Sequence, residues 1–87
     1  ADSAADLAIC MAIASAAAGR RLGDGLVVFG EVGLGGEIRS VPAVDKRVAE
    51  AKKLGFTTAI GPLPKNKDSF INGVKDLRQA LIDYLKS

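Results

Sequence analysis

A helix that is apolar on nearly every side opens this chain and constrains its fold more than any other feature. Residues 4–18 contain neither glycine nor proline, and Gly19 follows them as a candidate left-handed C-cap. A helix without a polar face belongs inside a fold, so we predict that this one is central and buried. Its apolar residues form two adjoining stripes: Leu7, Cys10, Met11, Ala14 and Ala18 on one, and Ile9, Ile13 and Ala16 on the next.

The ends of this helix carry the expected polar signals. Ser3 stands three residues before Asp6, and its hydroxyl is predicted to accept a hydrogen bond from the Asp6 amide as an N-cap. Asp6 places a negative charge in the first turn, where the helix dipole favours one. Arg20 and Arg21 follow the last turn, where positive charge is favoured.

The rest of the chain alternates short β-type and helical patterns. Asp76 is predicted to cap the last helix, which extends through Leu85. The order suggests an α/β layered domain, in which a wholly buried first helix has too little sheet to lie against. We therefore expect the chain to be the C-terminal portion of a larger domain, or to be covered by another chain. The other predicted elements are strands at residues 26–32, 37–41, 56–60 and 70–74, and a helix at residues 44–54.

Composition excludes several classes of site. Eighty-seven residues make one domain, and the lone Cys10 with no histidine excludes an internal disulfide, the common zinc sites and histidine-based catalysis. A net charge of +2 does not by itself indicate nucleic acid, and Tyr84 is the only tyrosine in a chain without tryptophan. The apolar stretch 7–18 is shorter than a membrane span of ~20 residues. A cytoplasmic protein without membrane contact is expected.

The glycine-rich run at residues 30–36 has two interpretations. A phosphate-binding loop would need GxGxxG spacing or a lysine–serine pair, followed at once by a helix, and the run has none of these. A hairpin turn that needs positive φ angles explains it better.

The basic residues also have two interpretations. They are either the solvated face of an amphipathic helix and its neighbouring helix ends, or a strip that contacts nucleic-acid phosphates. No base-reading motif accompanies them. They are Arg20, Arg21, Arg39, Lys46, Arg47, Lys52 and Lys53.

Four stretches together resemble the RadA (Sms) family of bacterial DNA repair and recombination ATPases, in its C-terminal Lon-like domain. They are residues 3–8, the run 27–39, Val41-Pro42, and residues 50–56 followed by Ala59-Ile60. The resemblance covers almost the whole chain. It implies an α/β (α+β) fold of the ribosomal protein S5 domain 2-like type, as in the Lon proteolytic domain, with helices packed on a mixed sheet. Residues 1–87 would then be a Lon-like domain that lacks its N-terminal strands.

Lon peptidases use a catalytic serine before the first helix and a catalytic lysine at the start of the second. The resemblance places Ala4 at the serine position and Asp45 at the lysine position. Neither side chain supplies a nucleophile or a neutral amine base, so no catalytic residue is expected. Ser3 and Lys46 each lie one residue away from these two positions. A step of one residue along a helix turns the side chain by about 100°, so we interpret Ser3 as a cap and Lys46 as a surface charge.

The resemblance implies a non-catalytic scaffold in a DNA-dependent ATPase that promotes branch migration. The expected partners are further copies in a hexameric ring, single-stranded or branched DNA, and a recombinase of the RecA type. No cofactor is expected in this chain, since ATP, magnesium and zinc belong to other domains of such proteins. Two alternatives stay open: a fragment of a Lon-type Ser-Lys peptidase, and a structural domain without a DNA role. The candidate DNA-binding residues are Arg20, Arg21, Arg39, Lys46 and Arg47.

Overall fold

The computed structural model of the chain describes residues 3–66 and 68–85. A single 3₁₀ turn, Ser3–Ala5, precedes the first helix. The helices and strands that follow are α1 (Asp6–Ala18), β1 (Leu26–Val28), β2 (Glu31–Val32), β3 (Ile38–Arg39), α2 (Val44–Lys53), β4 (Thr58–Pro62), β5 (Ile71–Val74) and α3 (Leu77–Tyr84).

A three-stranded parallel sheet in the order β1-β4-β5 organises the domain, and β2 and β3 form a separate antiparallel pair. Because side chains alternate between the faces of a strand, the two core clusters lie on opposite faces of the parallel sheet. Ala59 and Ile71 pack with residues of α2 on one face. Ile60 and Val74 pack with residues of α1 and α3 on the other. The predicted α/β class is thus confirmed as a small mixed domain with a parallel sheet and helices.

The predicted strand at residues 26–32 is wrong as a single element, because the chain changes sheets at Gly30. β1 pairs with β4, whereas β2 pairs with β3. Gly30 has φ +155°, which disfavours any side chain, and its amide donates to the Ala4 carbonyl at 2.8 Å. The Leu7 amide donates in turn to the Gly30 carbonyl at 3.0 Å. These two bonds join the start of α1 to the turn between β1 and β2.

The predicted Ser3 cap is also wrong. The N-cap position of α1 is Ala5, and no side chain caps the helix there. The carboxylate of Asp6 accepts a hydrogen bond from the Val32 amide at 3.3 Å, so its partner is the hairpin strand β2. The C-terminal prediction is confirmed: Gly19 adopts the left-handed conformation, with its amide donating to the Ala16 carbonyl.

Helix α1 is buried along one side only, which corrects the prediction of a wholly buried helix. Leu7 and Met11 are completely buried between the sheet and α3. Ile9 and Ile13 are 56% and 65% exposed. The apolar pattern was read correctly, but the described part of the chain provides packing partners for just one of the two stripes.

The C-terminal half follows the predicted order with shifted ends. β4 continues two residues past the predicted end at residue 60, and its last pairing position is Pro62, opposite Val74. The Asp76 carboxylate accepts from the Gln79 amide at 2.8 Å, which confirms the predicted cap of α3. The glycine-rich run forms the tip of the β2–β3 hairpin and is followed by β3, so the hairpin interpretation is confirmed.

Candidate nucleic-acid interface

An open groove of about 580 Å³ lies beside β1, between the start of α1 and one side of α2. We call it the β1 groove. β1 pairs with β4 on one side only, so its other edge offers backbone groups without a strand partner among the described residues. The residues that line the groove are Ala4, Ala5, Ala8, Val27, Val28, Phe29, Lys46, Arg47, Glu50, Ala51, Leu54 and Phe56.

Two of the predicted DNA-binding residues, Lys46 and Arg47, lie in this groove. They occupy the first turns of α2, whose Val48 and Ala51 are buried against the sheet. The Arg47 side chain donates from Nε to the Pro42 carbonyl at 3.0 Å, which fixes the base of the guanidinium. Lys46 is exposed and makes no ion pair within the described part of the chain.

Ala4 and Asp45, the two positions that the resemblance assigns to a Ser-Lys dyad, do not line the same cavity. Ala4 is 3% exposed, packs in the core and lines the β1 groove. Asp45 lines a second pocket of about 420 Å³, between the start of α2 and the connection from β4 to β5. Lys46 shares the groove with Ala4, and Ser3 is exposed. The groove therefore combines a methyl group with an ammonium group, which is no nucleophile–base pair.

Arg39 lies on the hairpin and is held by two carboxylates. Its guanidinium is 2.9 Å from Glu37 Oε2 and 3.4 Å from Glu31 Oε1. Hydrogen bonds from the Glu37 backbone amide and from Arg39 hold the pKa of the Glu37 carboxyl below its usual value. The hydrogen bond to Glu37 likewise raises the pKa of Arg39. Two carboxylates around one guanidinium leave this cluster with an excess of negative charge.

Arg20 and Arg21 lie at the opposite end of α1 from the groove. A helix of 13 residues is about 20 Å long, and Ala5 at its start lines the groove. Arg20 makes no ion pair within residues 3–66 and 68–85, whereas Arg21 is 3.2 Å from Asp24 in a fully solvated pair. The five predicted residues thus occupy three places: the groove, the hairpin and the far end of α1.

Sequence reasoning missed two parts of this surface. One is the pair of carboxylates around Arg39: Glu31 lies directly opposite Arg39 on the paired strands, and Glu37, two residues before Arg39, lies on the same face, a local spacing that the sequence does show. The other is the pocket beside Asp45, where residues between 40 and 45 meet residues 62–66, Asp68 and Ile71, and no local sequence pattern predicts it. Over the described ranges, no group of three or more Cys, Asp or Glu side chains is placed to hold a metal ion.

No helix within the described ranges is both long and apolar enough to span a bilayer.

Comparison with known proteins adds to this geometry. DNA repair protein RadA of Salmonella typhimurium LT2 is 47% identical over 85 residues, which cover 92% of this chain and 18% of that protein. The protein of the same name in Escherichia coli K12 is 48% identical, with the same two shares.

A third relative, from another bacterium, has the same name. DNA repair protein RadA of Aquifex aeolicus is 43% identical over 74 residues, 85% of this chain and 16% of that protein. The chain thus spans less than a fifth of the length of these relatives. A family model described as subunit ChlI of Mg-chelatase matches residues 2–66. The chain therefore belongs to this ChlI family, and its homologues include proteins named DNA repair protein RadA.

Proposed function

We propose that this chain is a non-catalytic scaffold and DNA-contact module within a longer, RadA-type DNA repair ATPase that assembles as a ring. The observation that carries the proposal is the β1 groove, where Ala4 lies with Lys46 and Arg47. The groove has positive charge at its wall and no nucleophile. The ATP, magnesium and zinc of such an enzyme, and its contact with a RecA-type recombinase, belong in this proposal to other domains.

The same geometry argues against the alternative of a Lon-type Ser-Lys peptidase. A Ser-Lys dyad needs a hydroxyl and a neutral amine within hydrogen-bond reach of each other. Ala4 has no hydroxyl, and its side chain is packed in the core. Asp45, at the lysine position, borders a different pocket. We expect no hydrolysis of casein or peptides by the full-length protein with ATP; cleavage that is lost in Ser3→Ala or Lys46→Ala would contradict this.

The Lon-like, S5 domain 2-like fold is part of the proposal, and two features support it. β1 has an unpaired edge beside the groove. Along the same side, Ala5, just before α1, and Ala8 of α1 line the groove, and Ile9 and Ile13 are exposed. Further strands that pair with β1 would satisfy its backbone and cover apolar surface of α1. We propose that strands preceding residue 1 in the full domain supply this cover on the β1 and α1 side of the groove, and that the α2 side with Lys46 and Arg47 stays open to DNA.

The five basic residues differ in how readily they can reach a phosphate. Lys46 and Arg20 are exposed and make no ion pair in the described structure. The exposed Arg21–Asp24 pair is of a kind that stabilises a protein by ~0–1 kcal/mol, so a phosphate can replace Asp24. Arg39 is held by two carboxylates. We rank Lys46, Arg47, Arg20 and Arg21 above Arg39 as phosphate contacts.

In this proposal, the affinity for DNA comes from the repetition of weak contacts around the ring. One copy places only a few cations against DNA, and weak sites gain strongly when they are linked. A ring of copies presents each cation many times along one nucleic acid. Binding without base-reading side chains is then expected to be insensitive to sequence and strongly dependent on salt.

The test is the salt dependence of DNA binding by full-length rings. Log affinity against log salt should become flatter by ~0.7–0.9 for each phosphate contact that is lost. We would compare Lys46→Ala/Arg47→Ala and Arg20→Ala/Arg21→Ala with a matched control, Lys75→Ala/Arg78→Ala. The control removes the same charge from exposed positions outside the proposed site.

The expected result is a flatter slope in the first two variants and an unchanged slope in the control, with ring assembly intact in all three. Wild-type slopes in both site variants would overturn the DNA-contact role. An equal flattening in the control would show that net charge, and not these residues, sets the slope.

A further inference from the structure

The tip of the β2–β3 hairpin presents one apolar side chain entirely to solvent. Leu34 has a relative exposure of 107%, the highest among the exposed large hydrophobic residues of the described chain. It stands between Gly33 and Gly35, which add no side-chain bulk around it. A leucine so placed contributes nothing to the core of its own domain.

The hairpin that carries Leu34 is braced. The Gly33 amide donates to the Glu37 carbonyl at 2.8 Å, and the Gly36 amide donates to the Gly33 carbonyl at 3.0 Å. The amide of Leu77, at the start of α3, donates to the Gly36 carbonyl at 2.8 Å. A side chain on an ordered backbone loses little further entropy on binding, which favours a contact residue.

The charges beside Leu34 select its partner. Glu31 and Glu37 outnumber Arg39, so the hairpin carries an excess of negative charge. This repels a phosphate backbone and favours a protein surface that is apolar and basic. DNA is thereby the poorer partner for this tip.

The chain itself carries such a surface at the C-terminal end of α2. Leu54 is 68% exposed and follows Lys52 and Lys53 directly, with Glu50 the nearest acid in sequence. Lys52 lies over the Phe70 ring, 5.3 Å from its centroid, so Lys53 is the cation left beside Leu54.

The other exposed large hydrophobic residues among those described fit a basic, apolar surface less well. Ile9 and Ile13 lie on a stretch of α1 without charge, and Ile82 precedes Asp83. Leu63 has the exposed cation Lys65 two residues away, but its connection also carries Asp68, whereas Leu54 follows Lys53 directly. The charge complement of the hairpin is therefore the Leu54 end of α2.

We propose that the hairpin tip of one copy docks on the Leu54 end of α2 in the next copy, with Leu34 against Leu54 and the hairpin carboxylates facing Lys53. The two surfaces lie on different elements, so the contact is head-to-tail, the type of interface that closes rings. The inference rests on the proposed ring and names one of its contacts. Leu54 lines the β1 groove as well, about 12 Å along the helix from Lys46, so the hairpin of the next copy and the DNA would occupy opposite ends of the groove.

The test is photo-crosslinking in the full-length protein, with benzoylphenylalanine in place of Leu34. Irradiation should give a product of two copies, with the crosslink mapped by mass spectrometry to the peptide that contains Leu54. The same amino acid in place of Leu63 is the control and should give no such product. In parallel, Leu34→Asp and Leu54→Asp should each raise the concentration needed for half-assembly by roughly tenfold, with Leu63→Asp unchanged.

A crosslink to DNA, to another surface, or within one copy would overturn the inference, and so would rings that assemble normally in both aspartate variants. These outcomes are separate from the DNA-contact test. Unchanged salt slopes in the Lys46→Ala/Arg47→Ala and Arg20→Ala/Arg21→Ala rings would remove the DNA-contact role while leaving the crosslink. A missing crosslink with flattened slopes would remove only the hairpin contact.

Discussion

Gly30 is the residue at which the chain leaves the parallel sheet for the hairpin. A Cβ atom there would lie 3.0 Å from Ile38 Cγ2 and 3.4 Å from Leu7 Cδ2, at a φ of +155°. Gly30→Ala is therefore expected to lower the free energy of unfolding by about 1–3 kcal/mol. Urea unfolding followed by circular dichroism measures it. Gly23→Ala, whose Cβ would make only ordinary contact with Leu26, is the control, and an equal loss in both variants would contradict the account.

Glu37 is the hairpin residue through which we expect pH to change the stability of the protein. Its pKa is lowered from 4.5 chiefly by its own backbone amide and by Arg39. A lowered folded pKa stabilises the protein above the ordinary pKa, and this stabilisation is lost as the pH falls through the folded value.

Glu37→Gln is therefore expected to lower the melting temperature near neutral pH and to approach wild type as the pH falls through the lowered pKa of Glu37, because both side chains are then uncharged. Glu50→Gln is the control, since Glu50 is exposed and makes no ion pair in the described structure. A gap between wild type and Glu37→Gln that stays constant from neutral to acidic pH would show that the carboxylate charge has no stabilising role.

At the scale of the elements, the two sides of α1 differ in burial and therefore in their tolerance of a charged substitution. Met11 is completely buried, whereas Ile13, two residues later, is 65% exposed. Met11→Asp places an unpaired charge in the core, at a cost of several kcal/mol against a total stability of ~5–15 kcal/mol. We expect this variant to be unfolded and Ile13→Asp to remain folded, as judged by cooperative thermal melting. A Met11→Asp protein that melts like wild type would contradict the buried side assigned to α1.

Local signals explain which elements were predictable. The Gly19 cap and the Asp76 cap depend on neighbours within a few residues, so the sequence located both helix ends. The break at Gly30 was missed because residues 26–32 keep a β-type composition through it. Gly30 leaves the sheet through hydrogen bonds to Ala4 and Leu7, more than twenty residues away in sequence.

In the candidate site, too, the sequence predicted only the features that depend on neighbouring residues. Lys46 and Arg47 were placed correctly at the start of a helix, since their periodicity is local. Their position beside Ala4 depends on how α2 packs against the sheet, which no short pattern encodes. The carboxylates around Arg39, and its separation from Arg20, depend on the same tertiary arrangement.

At the scale of the whole molecule, the charge is small and unevenly placed. The net charge is +2, and the described structure places a basic groove wall, an acidic hairpin and two arginines beyond α1 at separate positions. One copy thus carries distinct acidic and basic surfaces. That pattern suits a subunit that contacts its neighbour through one surface and nucleic acid through another.

The most direct test of the DNA-contact claim is lysine footprinting of the full-length ring with and without DNA. An amine-reactive reagent modifies each lysine at a rate set by its exposure, and mass spectrometry reports each rate separately. We predict that saturating DNA slows modification of Lys46 severalfold and leaves Lys75, exposed on the segment before α3, unchanged within the same molecules. Equal rates at Lys46 with and without bound DNA would contradict the proposal that the β1 groove contacts phosphate.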